Sequence, residues 1–144
     1  MKCIVTNSIN ASVSIADKTV GHIDKGLLVL VGFTENDDEE KIKKMSKKIV
    51  NLRIFPDENG IMNKSLLDID GDILSISQFT LYADTKKGNR PSYMKALNGH
   101  DAKKLYDAFN KELRKYTKVE EGVFGENMVV SNNNIGPTTI ILEI

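Results

Sequence analysis

The chain has no tryptophan, one cysteine, two histidines and three prolines in 144 residues. Each shortage closes off a class of chemistry. A single thiol, Cys3, cannot form a disulfide within the chain, which suits a reducing compartment. A closed structural zinc site needs four Cys or His ligands, and Cys3, His22 and His100 are only three. No metal or cofactor is therefore expected. A Ser-His-Asp arrangement would have to recruit His22, in a short strand-like piece, or His100, at the start of a helix. Neither lies near a nucleophile-elbow pattern, and both read as surface or capping histidines. Charge of either sign is not in excess, with 20 basic against 20 acidic side chains. A nucleic-acid partner would have to meet a local basic patch, not the field of the whole molecule. No apolar run is long enough to span a bilayer, and Met1-Lys2-Cys3-Ile4-Val5-Thr6 starts directly as a strand. A cytoplasmic protein without membrane contact is expected.

What is present suffices for one hydrophobic core, and residues 1–144 are expected to form a single domain. Residues 2–15, rich in Ile, Val, Ser and Thr, read as a long strand. Ala16-Asp17-Lys18 reads as a turn, Thr19 to Ile23 as a second strand, and Asp24-Lys25-Gly26 as another turn. Leu27 to Phe33 is continuously apolar, the pattern of a central strand buried on both faces. A helix is expected from Asp37 or Asp38, with Ile42, Met45, Ile49 and Leu52 as its buried stripe. Its lysines form a solvated face. Asn51 to Phe55 reads as strand or strand entry, and Pro56 to Gly60 as a turn. Ser65 to Ile69 reads as a short extended piece and Asp72 to Phe79 as a strand. A second helix is expected from Asp101 to about Tyr116, burying Ala102, Leu105, Phe109, Leu113 and Tyr116. Val119 to Phe124, Met128 to Asn132 and Thr138 to Ile144 read as strands. This order gives an α/β fold, a mixed β-sheet with two main helices mainly on one face. An apolar closing strand leaves an edge that invites pairing, and a twofold homodimer covers it most simply.

Two stretches carry candidate chemistry. Ser77-Gln78-Phe79-Thr80-Leu81 sits at the exit of the Asp72 strand, where the backbone is fixed and the exit is open to ligand. Asn134-Ile135-Gly136-Pro137-Thr138-Thr139 lies between two strands. Proline cannot donate to a ladder, so it needs a turn or a strand start. Spacing alone gives a trans peptide bond and a plain turn there. Between the two stretches, Tyr82 to Tyr93 reads as a long loop holding Lys86, Lys87 and Arg90 among tyrosines. Cations beside rings suit a phosphate and a stacked base; an ordinary solvated loop fits the composition equally.

Over essentially its whole length the chain resembles the D-aminoacyl-tRNA deacylases. The likeness is carried by Ala11-Ser12-Val13, Gly26 through Gly32, Ser77 through Asp84, Arg90-Pro91-Ser92-Tyr93, Gly122-Val123-Phe124-Gly125 with Met128, and Asn134-x-Gly136-Pro137-x-Thr139. The resemblance implies a cytosolic homodimer whose sheets join across the twofold. It implies hydrolysis of the ester between a D-amino acid, or glycine, and the terminal adenosine of the tRNA CCA end. It further implies a cis Gly136-Pro137 bond projecting into the pocket of the other subunit. The two carbonyls would then face the substrate α-carbon, so that an L side chain collides. Ser77, Gln78, Phe79 and Thr80 would take the catalytic roles. The Phe79 and Thr80 amides would meet the carbonyl oxygen or aminoacyl group, and Ser77 and Gln78 the adenosine and amino acid. Gly136, Pro137, Asn134, Thr139 and Met128 would bind substrate and reject the L form. Lys86, Lys87 and Arg90 would touch tRNA.

With no histidine at hand, the ribose 2′-OH is expected to assist hydrolysis. Thr80 as a nucleophile would need a base that the sequence does not offer. The chain departs from the family at Thr6-Asn7-Ser8, where Gln-Arg-Val is usual and the arginine braces the Gly-Pro loop. It departs again at Ile135, at Thr138 and at Glu126-Asn127. Two further functions stay open: a non-catalytic module holding a tRNA end or an adenylated ligand, and a hydrolase using Asp84 or Glu126 as a carboxylate base.

Overall fold

The structure is a computed structural model that describes residues 1–144. Five strands form one mixed sheet in the order β6-β5-β2-β1-β7. They are β1 (Lys2–Ile15), β2 (Lys18–Gly32), β5 (Asp72–Ser77), β6 (Val119–Glu121) and β7 (Val129–Glu143). A separate two-stranded ribbon is made of β3 (Phe55–Pro56) and β4 (Met62–Lys64). β1 runs antiparallel to β2 and β7, whereas β5 runs parallel to β2 and β6. The helices are α1 (Glu39–Val50) and α2 (Gly99–Leu113). The α/β fold with a mixed sheet and two main helices is thus the one expected.

Several boundaries differ from expectation, each for a local reason. β2 is continuous through Asp24-Lys25-Gly26. Gly26 adopts φ +149°, and a Cβ there would run into the Asp72 backbone where β5 starts alongside. The glycine serves a close strand approach instead of a turn. Of the Asn51 to Phe55 stretch only Phe55 is strand, in the two-residue β3 with Pro56. The piece expected to be extended at Ser65 to Ile69 holds a 3-10 turn over Leu67–Ile69. There the Asp68 carboxylate accepts from the Ser65 N–H and hydroxyl at 2.8 Å each, a local cap that competes with extension. β5 stops at Ser77, and Phe79–Tyr82 form another 3-10 turn. Asn98, not Asp101, caps α2, its side-chain oxygen accepting from the Asp101 N–H at 3.1 Å. α2 ends at Leu113, so Tyr116 lies outside it and exposed, while Tyr106 supplies a buried ring. The two strands expected around Gly136-Pro137 are one strand, β7, with the pair inside it and its peptide bond cis.

Both helices pack on one face of the sheet. Asp38 caps α1 by accepting from the Lys41 N–H at 2.9 Å; Glu39 and Glu40 open the helix and Lys47 and Lys48 close it, as its dipole favours. Along β2, Leu27, Val29 and Val31 point one way and Leu28 the other. The first set joins Ile42, Met45 and Ile49 of α1 and Phe109 of α2 in the main core. Leu28 joins Ala11, Val13, Ile23, Leu74 and Ile76 in a smaller core on the opposite face. No helix is long and apolar enough to cross a membrane.

The chain ends meet at the rim of the main core. The Met1 ammonium donates to Asp37 at 2.5 Å and to the Ile144 carbonyl at 2.7 Å, and the Asp37 side chain is fully buried. Cys3 is buried beside them. Burial pushes its thiol up from 9.0 to about 12, opposed by the ammonium and helped by Asp37. The folded chain therefore keeps a proton that the unfolded chain releases. That contribution to stability is complete below pH 9.0 and is lost as pH rises toward about 12. Cys3 is expected to resist thiol reagents at pH 8 until the protein unfolds; rapid labelling of the native protein would contradict this burial.

Candidate active site

β2 and β5 run parallel and end side by side, with Val31 beside Ser77. The crevice beyond the carboxyl ends of such strands is where open α/β sheets bind ligands. Here it is a cavity of about 600 Å³. Ser77, Gln78 and Phe79 line it at the β5 exit, Gly32 and Phe33 at the β2 exit, and Phe124 to Met128 from the turn before β7. Leu97, Gly99 and Ala102 close it from the start of α2. Most of the wall is apolar, with polar side chains at the β5 exit (Ser77, Gln78) and in the turn before β7 (Glu126, Asn127), as small-ligand sites are usually built.

The geometry of that exit follows from its hydrogen bonds. The Gln78 N–H donates to the Val31 carbonyl at 2.7 Å, which ties the exit to β2. The Gln78 side-chain amide donates onward to the Thr80 hydroxyl oxygen. The Leu81 N–H donates to the Gln78 carbonyl at 3.3 Å and the Ala83 N–H to the Thr80 carbonyl at 3.0 Å, closing the 3-10 turn. The first N–H groups of such a turn have no partner inside it; here they belong to Phe79 and Thr80. The Phe79 ring is exposed and meets Tyr93 edge-on at 5.0 Å. Rings at the mouth with free amides beside them can hold a flat base and a carbonyl oxygen. The Thr80 side chain itself is no part of the cavity wall.

The second motif stands elsewhere in the same chain. β7 is the sheet edge, paired only with β1. Register runs from Ser77 through Val31 and Cys3 to Leu142. Gly136 falls in the irregular part of β7 opposite Asn7, and is therefore three strand spacings across from Ser77, about 14 Å, and about four residues further along, roughly 13 Å. Asn134 and Thr139 do come together, with the Asn134 amide donating to the Thr139 hydroxyl at 2.9 Å across the Gly-Pro pair. Gly136 adopts φ +118°, and a Cβ there would stand 2.7 Å from the Thr138 nitrogen. Only glycine fits that backbone. Val129, Ile135 and Ile141 leave apolar side chains exposed along this edge. Met128, by contrast, lines the cavity together with Ser77.

At Thr6-Asn7-Ser8, where the resemblance leads to the expectation of a bracing arginine, the contacts are neutral. The Ser8 hydroxyl donates to the Thr6 carbonyl at 3.1 Å and accepts from the Leu28 N–H at 3.3 Å. The Asn132 amide donates to the Thr6 hydroxyl at 3.2 Å, joining β7 to β1. Such bonds are roughly half as strong as charge-assisted ones.

Among titratable groups, His22 pairs with Asp24 at 3.6 Å and His100 with Asp101 at 3.1 Å, and neither lines the cavity. The Lys86 backbone N–H, more than the Lys95 and Lys86 charges, holds the Asp84 carboxyl below the usual carboxylate range. Asp84 lies outside the cavity wall, whereas Glu126 is the one acidic residue in it. Lys86, Lys87 and Arg90 line a neighbouring groove instead. Nothing in the sequence marks Phe33 or Leu97 as wall residues; the closing Gly32-Phe33 of an apolar run is the nearest signal.

This layout has close relatives. A D-aminoacyl-tRNA deacylase of Clostridium novyi is 51% identical over 144 residues, covering 99% of this chain and 97% of that protein. One of Thermosipho africanus is 51% identical over the same coverage. A solved c-Myc DNA unwinding element binding protein superposes with a TM-score of 0.95 at 37% identity, over 100% of this chain and 99% of its own. A probable eukaryotic D-amino acid tRNA deacylase superposes with a TM-score of 0.86 over 99% and 98% of the two chains; at 18% identity that is a likeness of fold alone. The D-Tyr-tRNA(Tyr) deacylase profile matches residues 4–143, and on that match together with the identities above the chain belongs to the D-Tyr-tRNA(Tyr) deacylase family.

Proposed function

We propose that this protein hydrolyses the ester of D-aminoacyl-tRNA, and of mischarged glycyl-tRNA, releasing free amino acid and tRNA in the cytosol. One observation carries this: a chain matched to deacylases over residues 4–143 keeps Ser77-Gln78-Phe79-Thr80 at the mouth of a cavity of about 600 Å³. The terminal adenosine enters the cavity. Its base lies against the apolar wall, and Ser77 and Gln78 hold the adenosine and the amino acid. The Phe79 and Thr80 amides face the ester carbonyl oxygen. Donors fixed in place before charge develops there are worth about 10²–10³ in rate each. The neighbouring ribose 2′-OH assists the attack or the leaving of the ester oxygen, so no histidine is required. Thr80 is a poor nucleophile here, because the group beside its hydroxyl is the Gln78 amide, which is not a base.

The chirality filter comes from a second copy. Gly136-Pro137 is too far from Ser77 in its own chain to touch the same ester. Twofold pairing covers the exposed β7 edge and carries each Gly-Pro pair into the partner's cavity. The Gly136 and Pro137 carbonyls then stand against the α-carbon. A D side chain or the hydrogen of glycine clears them, and an L side chain does not. The Asn134–Thr139 bond braces the wall in the absence of the arginine. Because the α-carbon is what is read, many side chains are accepted.

Incubation of the purified protein with D-Tyr-tRNA and L-Tyr-tRNA tests the activity. The D ester is expected to be cleaved and the L ester spared; a module that merely holds a tRNA end would leave both intact. Glu126 in the wall favours one rival, a carboxylate base. Glu126→Gln is expected to keep kcat/KM within about threefold, whereas loss of a true general base would cost about 10²–10⁴.

A further inference from the structure

We infer that the groove beside the cavity binds the backbone phosphates immediately 5′ of the terminal adenosine, in the single-stranded tail of the tRNA. This rests on the cavity being the adenosine site. Lys86, Lys87, Arg90 and Lys95 line a groove of about 490 Å³ in which Asp84 is the lone carboxylate. Four cations against one anion stand out in a chain whose net charge is zero. Crowding like charges raises the energy of the folded chain until an anion meets them.

The two cavities share a wall. Tyr93 lines the adenosine cavity, while its neighbours Ser92 and Met94 line the groove. Ser92 sits in the bridge to Asp84 and Tyr93 follows it, so these two neighbours point to opposite sides about 3.4 Å apart. A base against Tyr93 and a phosphate beside Ser92 therefore belong to adjacent nucleotides.

The groove is held in shape by its own base. Asp84 and Ser92 exchange backbone hydrogen bonds at 2.8 and 2.9 Å. The Asp84 carboxylate accepts from the Lys86 N–H at 2.9 Å and lies 3.5 Å from the Lys95 ammonium. Asp84 thus frames the loop and pairs with Lys95 only. Lys86, Lys87 and Arg90 are left exposed, with their charges unpaired. Phosphodiesters are the ligand that suits them, because Arg90 can engage two oxygens at once and the lysines act as point charges.

The test uses an RNA hairpin ending in the single-stranded CCA tail. In one form the two linkages before the terminal adenosine are uncharged methylphosphonates. Full-length wild-type protein is expected to bind the neutralised RNA about tenfold more weakly than the all-phosphate form. Lys87→Ala/Arg90→Ala is expected to distinguish the two by less than about twofold. Its slope of log K against log salt should fall by roughly 1.4, the counterion release of two single-strand contacts. Circular dichroism checks that the variant is folded; should it not be, Lys86→Gln alone, with an expected slope change of roughly 0.7, serves the same comparison. Equal binding of both RNAs by wild type, or an undiminished preference in a folded variant, overturns the inference. Cleavage of D-Tyr-tRNA by the same preparation is scored separately. Linkage dependence without cleavage would sink the hydrolase and leave the groove, and the converse would sink the groove alone.

Discussion

Replacing the 2′-OH of the terminal adenosine by hydrogen, with D-tyrosine on the 3′ oxygen, is expected to slow hydrolysis by about 10²–10⁴. Thr80→Ala is expected to keep the rate within about tenfold, since no general base activates that hydroxyl. The physical reason is that no proton acceptor stands beside the Thr80 hydroxyl. The cavity holds no histidine, and the group touching the Thr80 hydroxyl is the Gln78 amide. On the proposed mechanism the substrate supplies the acid–base function, and the protein supplies position and amide donors. Single-turnover rates on the paired substrates measure both effects. A 2′-deoxy ester cleaved normally, together with an inert Thr80→Ala, would assign the chemistry to the threonine.

Gly136→Ala is expected to lower kcat/KM on D-aminoacyl-tRNA by at least about 100-fold, the scale on which a displacement near 1 Å acts. At φ +118° the added methyl would press on Thr138, so the strand must shift. The strain is about 1–3 kcal/mol. Thermal unfolding should therefore report a modest loss of stability beside a large loss of activity. Comparable activity on the D ester with the L ester still spared would mean that this backbone is not the selecting wall.

The fold was legible wherever pattern and packing agree. The apolar Leu27–Val31 run became a central strand because it is buried on both faces, and the Ile42-Met45-Ile49 spacing became the inner face of α1. Misjudged boundaries came from residues whose usual meaning was overridden by a neighbour. Gly26 looks like a turn and is instead the point where β5 comes close to β2. Pro137 looks like a strand break and sits inside an edge strand, in the irregularity between Asn134 and Thr139 where the ladder to β1 is interrupted and no N–H is called for. The Phe79–Tyr82 turn was hidden because Phe, Thr, Leu and Tyr are good strand formers; the tether of Gln78 to Val31 and the closing bonds onto the Gln78 and Thr80 carbonyls are tertiary facts. For the site, Ser77, Gln78, Phe79 and Met128 do gather round one cavity. Asn134 and Thr139 gather round the Gly-Pro pair. Periodicity gives no hint that these two groups lie on strands separated by β2 and β1, and it cannot show which chain completes a site.

Subunit complementation probes that last point most directly. Gly136→Ala protein keeps its own cavity motif, and Gln78→Ala protein keeps its own Gly-Pro pair. Each alone is expected to be nearly inactive on D-Tyr-tRNA. After equal mixing and exchange of subunits, half of the dimers are mixed and each mixed dimer has one intact slot, so about a quarter of wild-type activity should return. If every slot were built from a single chain, the mixture would stay as inactive as its parents.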